Sequence, residues 1–220
     1  MNDTRYHLDH LMVCVADPTR AVQGLLDFGL LQSQSGLRRG TGAGATYFFF
    51  DDFYVEVAWE PGGQPAFQDA PAMHFSERVH GGWYPFGVSF RPCGPIAGGL
   101  PMSTWDYQAS FLPPTATPIP IATNSPLPNE PLIIASLVSG RPDARVPRPP
   151  LQRHLGLREA TKLTLHMEPP GPGSLELQRL RDIVPVAFVF EGPPHVDVEF
   201  DGGSRGRRHA FPGLPLSFSW

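Results

Sequence analysis

The stretch LDHLMVCVA at residues 8–16 and the run FYVEVAW at residues 53–59 decide the fold of this chain. Both runs are rich in apolar and β-branched residues, which is typical of β-strands. After the first run, Asp17-Pro18 is typical of a helix start, with Asp17 as the N-cap and Pro18 in the first turn. Apolar residues then recur at helical spacing as far as Phe28. We therefore predict a strand followed directly by a helix.

Further strands are predicted between this helix and residue 60. Residues 30–35, 45–50 and 53–59 each carry a strand pattern, separated by turn residues such as Asp51-Asp52. The predicted order over residues 1–60 is therefore β-α-β-β-β. We expect the helix to cover one face of the sheet that these strands form.

The middle of the chain is dominated by proline. Residues 61–82 are predicted to be an irregular connector, and residues 83–220 a divergent second module with a proline-rich insertion. Fourteen of the 27 prolines lie between residues 92 and 150. Because proline cannot donate a hydrogen bond to a neighbouring strand, this insertion should supply edge strands and long loops. The strands predicted here cover residues 83–91, 104–112 and 131–138, of which only the last is a convincing buried strand inside the proline-rich region.

The last third of the chain shows a shorter version of the opening pattern. A strand is predicted over residues 161–167, followed by a brief helix capped by Ser174. Residues 186–190 and 195–200 are predicted to form a hairpin-like pair of strands. The apolar residues 218–220 are expected to dock on this chain or on a second copy.

Composition narrows the class of protein. The chain has 220 residues with a formal net charge of −4, so a nucleic-acid binder, which needs a basic surface, is disfavoured. The polar start lacks the long apolar stretch of a signal or membrane segment, which makes the cytoplasm the expected location. The two cysteines, Cys14 and Cys93, do not make a disulfide framework.

His10 and Glu56 are the candidate functional residues of the two strand runs. Side chains alternate between the faces of a strand, so the valines of both runs point away from this pair. If both valine-rich faces turn toward the helix, His10 and Glu56 share the opposite, concave face. An imidazole beside a carboxylate is half of a divalent-metal site. A satisfied His–Glu pair or the polar lining of a pocket fits the same spacing equally well.

The segments that carry this pair resemble the first module of the vicinal oxygen chelate superfamily, and more closely its glyoxalase-like branch. The resemblance rests on residues 8–13, 17–18, 28–30 and 53–57. It implies an α+β fold in which paired βαβββ modules form curved mixed sheets around a cleft, as one glyoxalase-like unit. It also implies that His10 on the first strand and Glu56 on the fourth are metal ligands.

The second half departs from the pattern of that superfamily. A complete site needs a second His or Gln and usually a second Glu, and the strands predicted over residues 83–91 and 131–138 do not offer them. In one alternative, residues 162–200 form the true second module and the middle region is an insertion. The additional ligand candidates are His80, His154, His166 and Glu199.

Three functions remain open from the sequence. The first is a glyoxalase-like isomerase, lyase or dioxygenase that acts on a small oxygen-bearing substrate. The resemblance implies Zn, Ni, Mn or Fe held by His10 and Glu56, and the catalytic carboxylate that moves the proton is Glu56 or Glu199. The second is a metal-free protein that sequesters a small molecule, and the third is a structural domain that pairs with another chain. We expect Met12, Tyr54 and Trp105 in the substrate pocket, and a monomer or a homodimer.

Overall fold

The chain folds into two mixed β-sheets with three short α-helices, within the residues that the computed structural model describes, which are 6–37, 41–94, 99–136, 140–169 and 173–220. The prediction of an α+β protein is therefore confirmed. None of the helices in these ranges has the length and apolarity that crossing a membrane requires.

The first sheet has eight strands, in the spatial order β2-β3-β4-β1-β5-β8-β7-β6. At its centre β1 pairs with β4 in parallel and with β5 antiparallel, and β5 pairs with β8 in parallel. The strands are β1 (Tyr6–Cys14), β2 (Ser35–Leu37), β3 (Gly44–Phe49), β4 (Tyr54–Trp59), β5 (Phe86–Pro92), β6 (Thr104–Tyr107), β7 (Ile119–Ala122) and β8 (Leu132–Ala135).

The second sheet has five strands, in the spatial order β10-β9-β11-β13-β12. β9 pairs with β10 in parallel and with β11 antiparallel. The predicted hairpin of β10 and β11 is therefore wrong, because β9 lies between them. The strands are β9 (Ala160–His166), β10 (Val186–Val189), β11 (His195–Phe200), β12 (Arg208–Ala210) and β13 (Leu216–Ser219).

Two of the three helices begin where the sequence predicts. In α1 (Pro18–Asp27) the Asp17 carboxylate accepts a hydrogen bond from the backbone N–H of Arg20 at 3.0 Å. In α3 (Leu175–Ile183) the Ser174 hydroxyl accepts one from the backbone N–H of Leu177 at 3.3 Å. Each cap satisfies an N–H that has no partner inside its helix.

The third helix, α2 (Phe75–His80), lies in the segment predicted to be an irregular connector. Its Arg78 is buried, and the guanidinium donates to the backbone carbonyls of Met73, Tyr84, Glu130 and Ser125 at 2.8 to 3.1 Å. Burial lowers the pKa of Arg78 to about 10. The hydrogen bonds of Arg78 thus help to fix a segment that has little helical pattern of its own.

Two strands of the first sheet differ from their predictions. The strand predicted over residues 30–35 is β2, which is shorter and begins at Ser35. β7 is not predicted at all, because prolines precede it and interrupt it. Pro120 lies opposite Asp106 of β6, and the neighbouring residues Ile119 and Ile121 maintain the pairing. Proline is tolerated there because the residues on either side still supply backbone donors.

One apolar core joins the two sheets. It includes Leu11 and Val55 from the first sheet and Val198 and Phe218 from the second, all with no exposed surface. The C-terminal residues dock on this chain itself, since Trp220 contacts Phe28, just beyond the end of α1, with ring centroids 5.7 Å apart. One face of the first sheet is therefore occupied by this core.

Asp52 supplies a further contact between the sheets. It lies in the turn between β3 and β4, and its carboxylate accepts a hydrogen bond from the backbone N–H of Ala160 on β9 at 3.0 Å. Burial raises the pKa of this carboxyl from 3.8 to about 6, because an apolar environment disfavours the charged form.

We expect Asp52→Asn to stabilise the protein in a pH-dependent way. The raised pKa means that the folded state holds a proton at Asp52 that the unfolded chain releases at lower pH. The free energy of unfolding therefore falls as the pH rises from about 4 to about 6. The neutral amide avoids this loss, so the variant should exceed the parent by about 2 kcal/mol near pH 7.5 and match it near pH 4.

Urea denaturation at a series of pH values measures this difference. Asp69→Asn is the matched control, since Asp69 is exposed, and its stability should follow the parent at every pH. A difference for Asp52→Asn that does not change with pH would contradict the assignment of the raised pKa to Asp52.

Candidate functional site

Side-chain alternation places two pairs of predicted residues on one face of the first sheet. In the parallel pairing of β1 and β4, His10 lies opposite Tyr54 and Met12 lies opposite Glu56. The alternating residues, such as Leu11, point into the core between the sheets. His10, Met12, Tyr54 and Glu56 therefore face away from that core.

These four side chains line a cavity of about 410 Å³. Most of its wall is apolar, and the polar groups are concentrated where β1 and β4 adjoin. The remaining lining comes from the segment around α2, from the loop between β6 and β7, and from strands β6 to β8. It consists of Phe67, Met73, Phe75, Tyr107, Phe111, Leu112, Ala116, Thr117, Ile119, Ile121, Leu132, Ile134 and Ser136.

The polar end of the cavity is the His10–Glu56 pair. His10 Nε2 lies 3.8 Å from Glu56 Oε2, which is longer than a hydrogen bond. The His10 ring stacks on the ring of Tyr54, with centroids 4.5 Å apart and planes inclined by 19°. His10 is 8% exposed and Glu56 is 2% exposed, so both polar groups are largely removed from solvent.

Asp9 orients His10 from the other side of the ring. His10 Nδ1 lies 2.8 Å from Asp9 Oδ2, and the Arg91 guanidinium donates to Asp9 Oδ1 at 3.2 Å. Burial alone would raise the pKa of Asp9, but the hydrogen bond from His10 and the charges of His10 and Arg91 hold it below its ordinary value. Because an ionised carboxylate only accepts, His10 Nδ1 carries the proton and donates it to Asp9.

A β-bulge makes this contact between sequence neighbours possible. Leu8 lies opposite Phe90 and His10 lies opposite Ser89, so Asp9 is an extra residue in β1. In a regular strand Asp9 and His10 would point to opposite faces. The bulge instead lets the Asp9 carboxylate reach the imidazole.

The proton on Nδ1 defines the chemistry of the cavity's polar end. In the neutral imidazole, Nε2 is then an acceptor, and it faces the carboxylate of Glu56. While His10 is neutral, the cavity therefore presents two acceptor atoms, His10 Nε2 and Glu56 Oε2, 3.8 Å apart, whereas the Nε2 of a protonated His10 is a donor. Such a pair is suited to a ligand group that donates hydrogen bonds, such as a hydroxyl or an amine.

Two of the additional ligand candidates bind groups outside the cavity lining. His80 Nε2 lies 2.9 Å from Oε2 of Glu60, whose carboxylate also accepts from Ser76 and from the backbone N–H of Ala66. His154 Nε2 lies 2.9 Å from the backbone carbonyl of Gly29.

The other two candidates belong to the second sheet. His166 Nε2 lies 3.0 Å from Asp197 Oδ2, and Glu199 accepts a hydrogen bond from the Thr161 hydroxyl at 3.0 Å. Neither side chain lines the cavity. The strands of residues 162–200 therefore form a different sheet from the one that carries His10, contrary to the alternative in which they complete its site.

Trp105 is the one predicted pocket residue that lies outside the cavity lining. Its indole N–H donates to the Ser125 hydroxyl at 3.0 Å, and its ring packs against that of Tyr107, with centroids 6.4 Å apart. Tyr107, two residues further along β6, lines the cavity in its place.

The donor set does not fit a metal centre. In the described part of the chain, no three His, Cys, Asp or Glu side chains are arranged to hold a metal ion, whereas zinc sites use at least three protein ligands. On the cavity face next to His10 and Glu56, β5 carries Gly87 and Ser89 and β8 carries Leu132 and Ile134. A side chain larger than glycine at position 87 would press against Met12, because an added Cβ would lie 2.8 Å from the Met12 methyl group.

Sequence reasoning missed two kinds of site residue. The first kind is the pair Asp9 and Arg91, for which the signal was an arginine directly after the apolar run of β5. The second kind is the apolar wall from the connector, including Phe67, Met73 and Phe75. Their hydrophobicity predicts burial, but not which surface they cover.

Comparisons with known proteins describe the fold and nothing further. No family model matches the sequence, and no curated protein matches it. Its fold is similar to that in a crystal structure of a hypothetical protein from Staphylococcus aureus. The two agree with a TM-score of 0.51 and 7% sequence identity over 97% of this chain and 98% of that chain.

We expect Asp9→Ala to destabilise the protein by about 3 kcal/mol, because it leaves the buried Arg91 guanidinium without its counter-charge. Urea denaturation followed by circular dichroism measures the change. Asp106→Ala is the matched control, since Asp106 is exposed on β6, and it should cost no more than about 0.5 kcal/mol. Equal stability of the two variants would refute this role of the Asp9–Arg91 pair.

Proposed function

We propose that this protein binds a small, mainly apolar molecule in the cavity on the first sheet, without a metal ion. The observation that carries this proposal is the composition of the cavity wall, which is mainly apolar and has the two ionisable side chains His10 and Glu56 together at one end. Sites for small molecules combine such an apolar lining with a few polar groups that fix the orientation of the ligand.

The apolar wall supplies the affinity for this ligand. The aromatic side chains of Phe67, Phe75 and Tyr107 in the cavity wall offer apolar surface, and displacing water from it is favourable in free energy. A volume of about 410 Å³ suits a ligand the size of a fused aromatic ring system or a medium-length alkyl chain.

The polar end supplies the orientation. With His10 in its neutral form, His10 Nε2 and Glu56 Oε2 both accept hydrogen bonds, so the ligand places a hydroxyl, amine or amide N–H between them. Asp9 holds the imidazole in the tautomer that leaves Nε2 as the acceptor. A ligand that has no hydrogen-bond donor would bind less tightly, because it would give neither acceptor a hydrogen bond.

We also propose that the first sheet consists of two related modules, as in glyoxalase-like proteins of the vicinal oxygen chelate superfamily. The strand pairing supports this proposal, since β1 is parallel to β4, β5 is parallel to β8, and β1 and β5 meet antiparallel at the centre. The isomerase, lyase or dioxygenase activity that the resemblance implies needs a divalent ion, for which the described residues supply two ligands. The cytoplasmic location and the homodimer stay predictions.

The proposal is tested with N-phenyl-1-naphthylamine, a neutral apolar probe that has one N–H donor and fluoresces when it leaves water. We expect saturable binding with one probe per chain. Ile134→Trp should abolish it, because the larger side chain fills the cavity from β8. Glu56→Gln should weaken it roughly tenfold, because an acceptor for the probe N–H is altered.

The matched control is Leu175→Trp, which adds the same ring at an exposed position of α3, on a leucine that is 59% exposed. This variant should bind the probe like the parent. Absence of saturable binding by the parent, or equal binding by Ile134→Trp, would exclude the cavity as a ligand site.

Metal titration tests the metal-free part of the proposal. We expect less than stoichiometric Zn²⁺, Ni²⁺, Mn²⁺ or Fe²⁺ to remain with the protein after incubation and desalting, because two ligands do not hold an ion. Elemental analysis of the desalted protein gives the metal content. One equivalent of metal that disappears in Glu56→Gln would contradict the proposal and favour the metalloenzyme.

A further inference from the structure

A second cleft shares one wall with the cavity. It has a volume of about 590 Å³ and lies between β3, β4 and the segment around residues 145–150. Tyr54 lines both spaces, and the cleft adds Tyr47 and Phe49 from the same face of the sheet. The cleft differs from the cavity in charge, because Arg145 and Arg148 also line it.

Arg145 is held over the aromatic floor of this cleft. Its guanidinium carbon lies 5.1 Å from the ring centroid of Phe49 and 5.6 Å from that of Tyr54. The side chain is half-buried. Stacking on two rings fixes the orientation of the guanidinium, while its N–H groups at the edge can donate hydrogen bonds to a partner.

The nearby arginines differ from Arg145 in their partners. Arg141 forms ion pairs with Asp143 and Glu159, and Arg153 pairs with Asp51. Within the described ranges, Arg145 and Arg148 make no ion pair with a carboxylate. The two arginines that line the cleft are therefore the ones of this segment that lack a direct carboxylate partner among the described residues.

We propose that this cleft holds a carboxylate or phosphate group of the same ligand whose apolar part occupies the cavity, so that the ligand is an apolar acid rather than a neutral molecule. This inference rests on the proposed function. The orientation follows from charge, since the Glu56 carboxylate lines the cavity and repels an anion there, whereas Arg145 lines the cleft and attracts one. Arginine binds both anions through paired N–H donors.

A matched series of probes tests the charge preference. Decanoate, decanol and decylamine share one alkyl chain and differ in the head group, and each competes with N-phenyl-1-naphthylamine for the parent protein at low salt. We expect decanoate to bind at least tenfold more tightly than decanol, whereas decylamine, whose ammonium is repelled by Arg145, should gain no advantage from the cleft. Added salt should reduce the advantage of decanoate, because the charge interaction is partly exposed.

Variants assign the preference to the cleft. Arg145→Met removes the charge and keeps the apolar stem, so decanoate should lose its tenfold advantage while decanol binds as before. Arg145→Lys should retain part of the advantage. Arg179→Met, on an exposed arginine of α3, changes net charge equally and should leave all three affinities unaltered.

The outcomes separate this inference from the proposed function. Equal binding of the three compounds, or a decanoate preference that survives in Arg145→Met, would overturn the anion cleft and leave the apolar cavity standing. If none of the probes binds the parent protein, the cavity itself is wrong and the inference fails with it. An octyl phosphate that outcompetes decanoate would identify phosphate as the preferred anion.

Discussion

The alternation of side chains along β1 and β4 governs both the core and the cavity. One face of these strands is taken up by the apolar core that joins the two sheets, with Leu11 and Val55 fully buried in it. The other face is then free to carry His10 and Glu56. Because parallel pairing sets His10 opposite Tyr54 and Met12 opposite Glu56, the His10 imidazole and the Glu56 carboxylate come within 3.8 Å of each other without any loop having to position them.

Because side chains in a strand alternate between its two faces, the central pair of the site, His10 and Glu56, could be predicted from the sequence. The shared face of His10 and Glu56 follows from spacing within two strands, and the starts of α1 and α3 follow from local capping by Asp17 and Ser174. Each of these features depends on residues close together in the chain. The pairing of strands that are far apart in the chain does not depend on such local features. The position of β9 between β10 and β11 in the second sheet therefore leaves no signal in the local sequence.

The residues that form the cavity wall are a second feature that local sequence patterns do not predict. Phe67 and Phe75 are apolar enough to predict burial, but the sequence does not say that they cover the face of the first sheet that carries His10 and Glu56. Pro120 illustrates the opposite error, since a residue that discourages strand assignment sits inside β7. In both examples the tertiary environment decides, because burial and pairing are satisfied by partners far away in the chain.

The bulge at Asp9 has a consequence for how this site can change in evolution. Leu8 and His10 would pair with Phe90 and Ser89 in an uninterrupted ladder if the residue between them were absent. An in-frame loss of that single codon would therefore regularise the strand and keep every later side chain on its present face. One inserted or deleted codon can therefore add or remove the Asp9 carboxylate that contacts the imidazole. Deletion of Leu11 would instead move the side chains on one side of the deletion to the opposite face of the sheet.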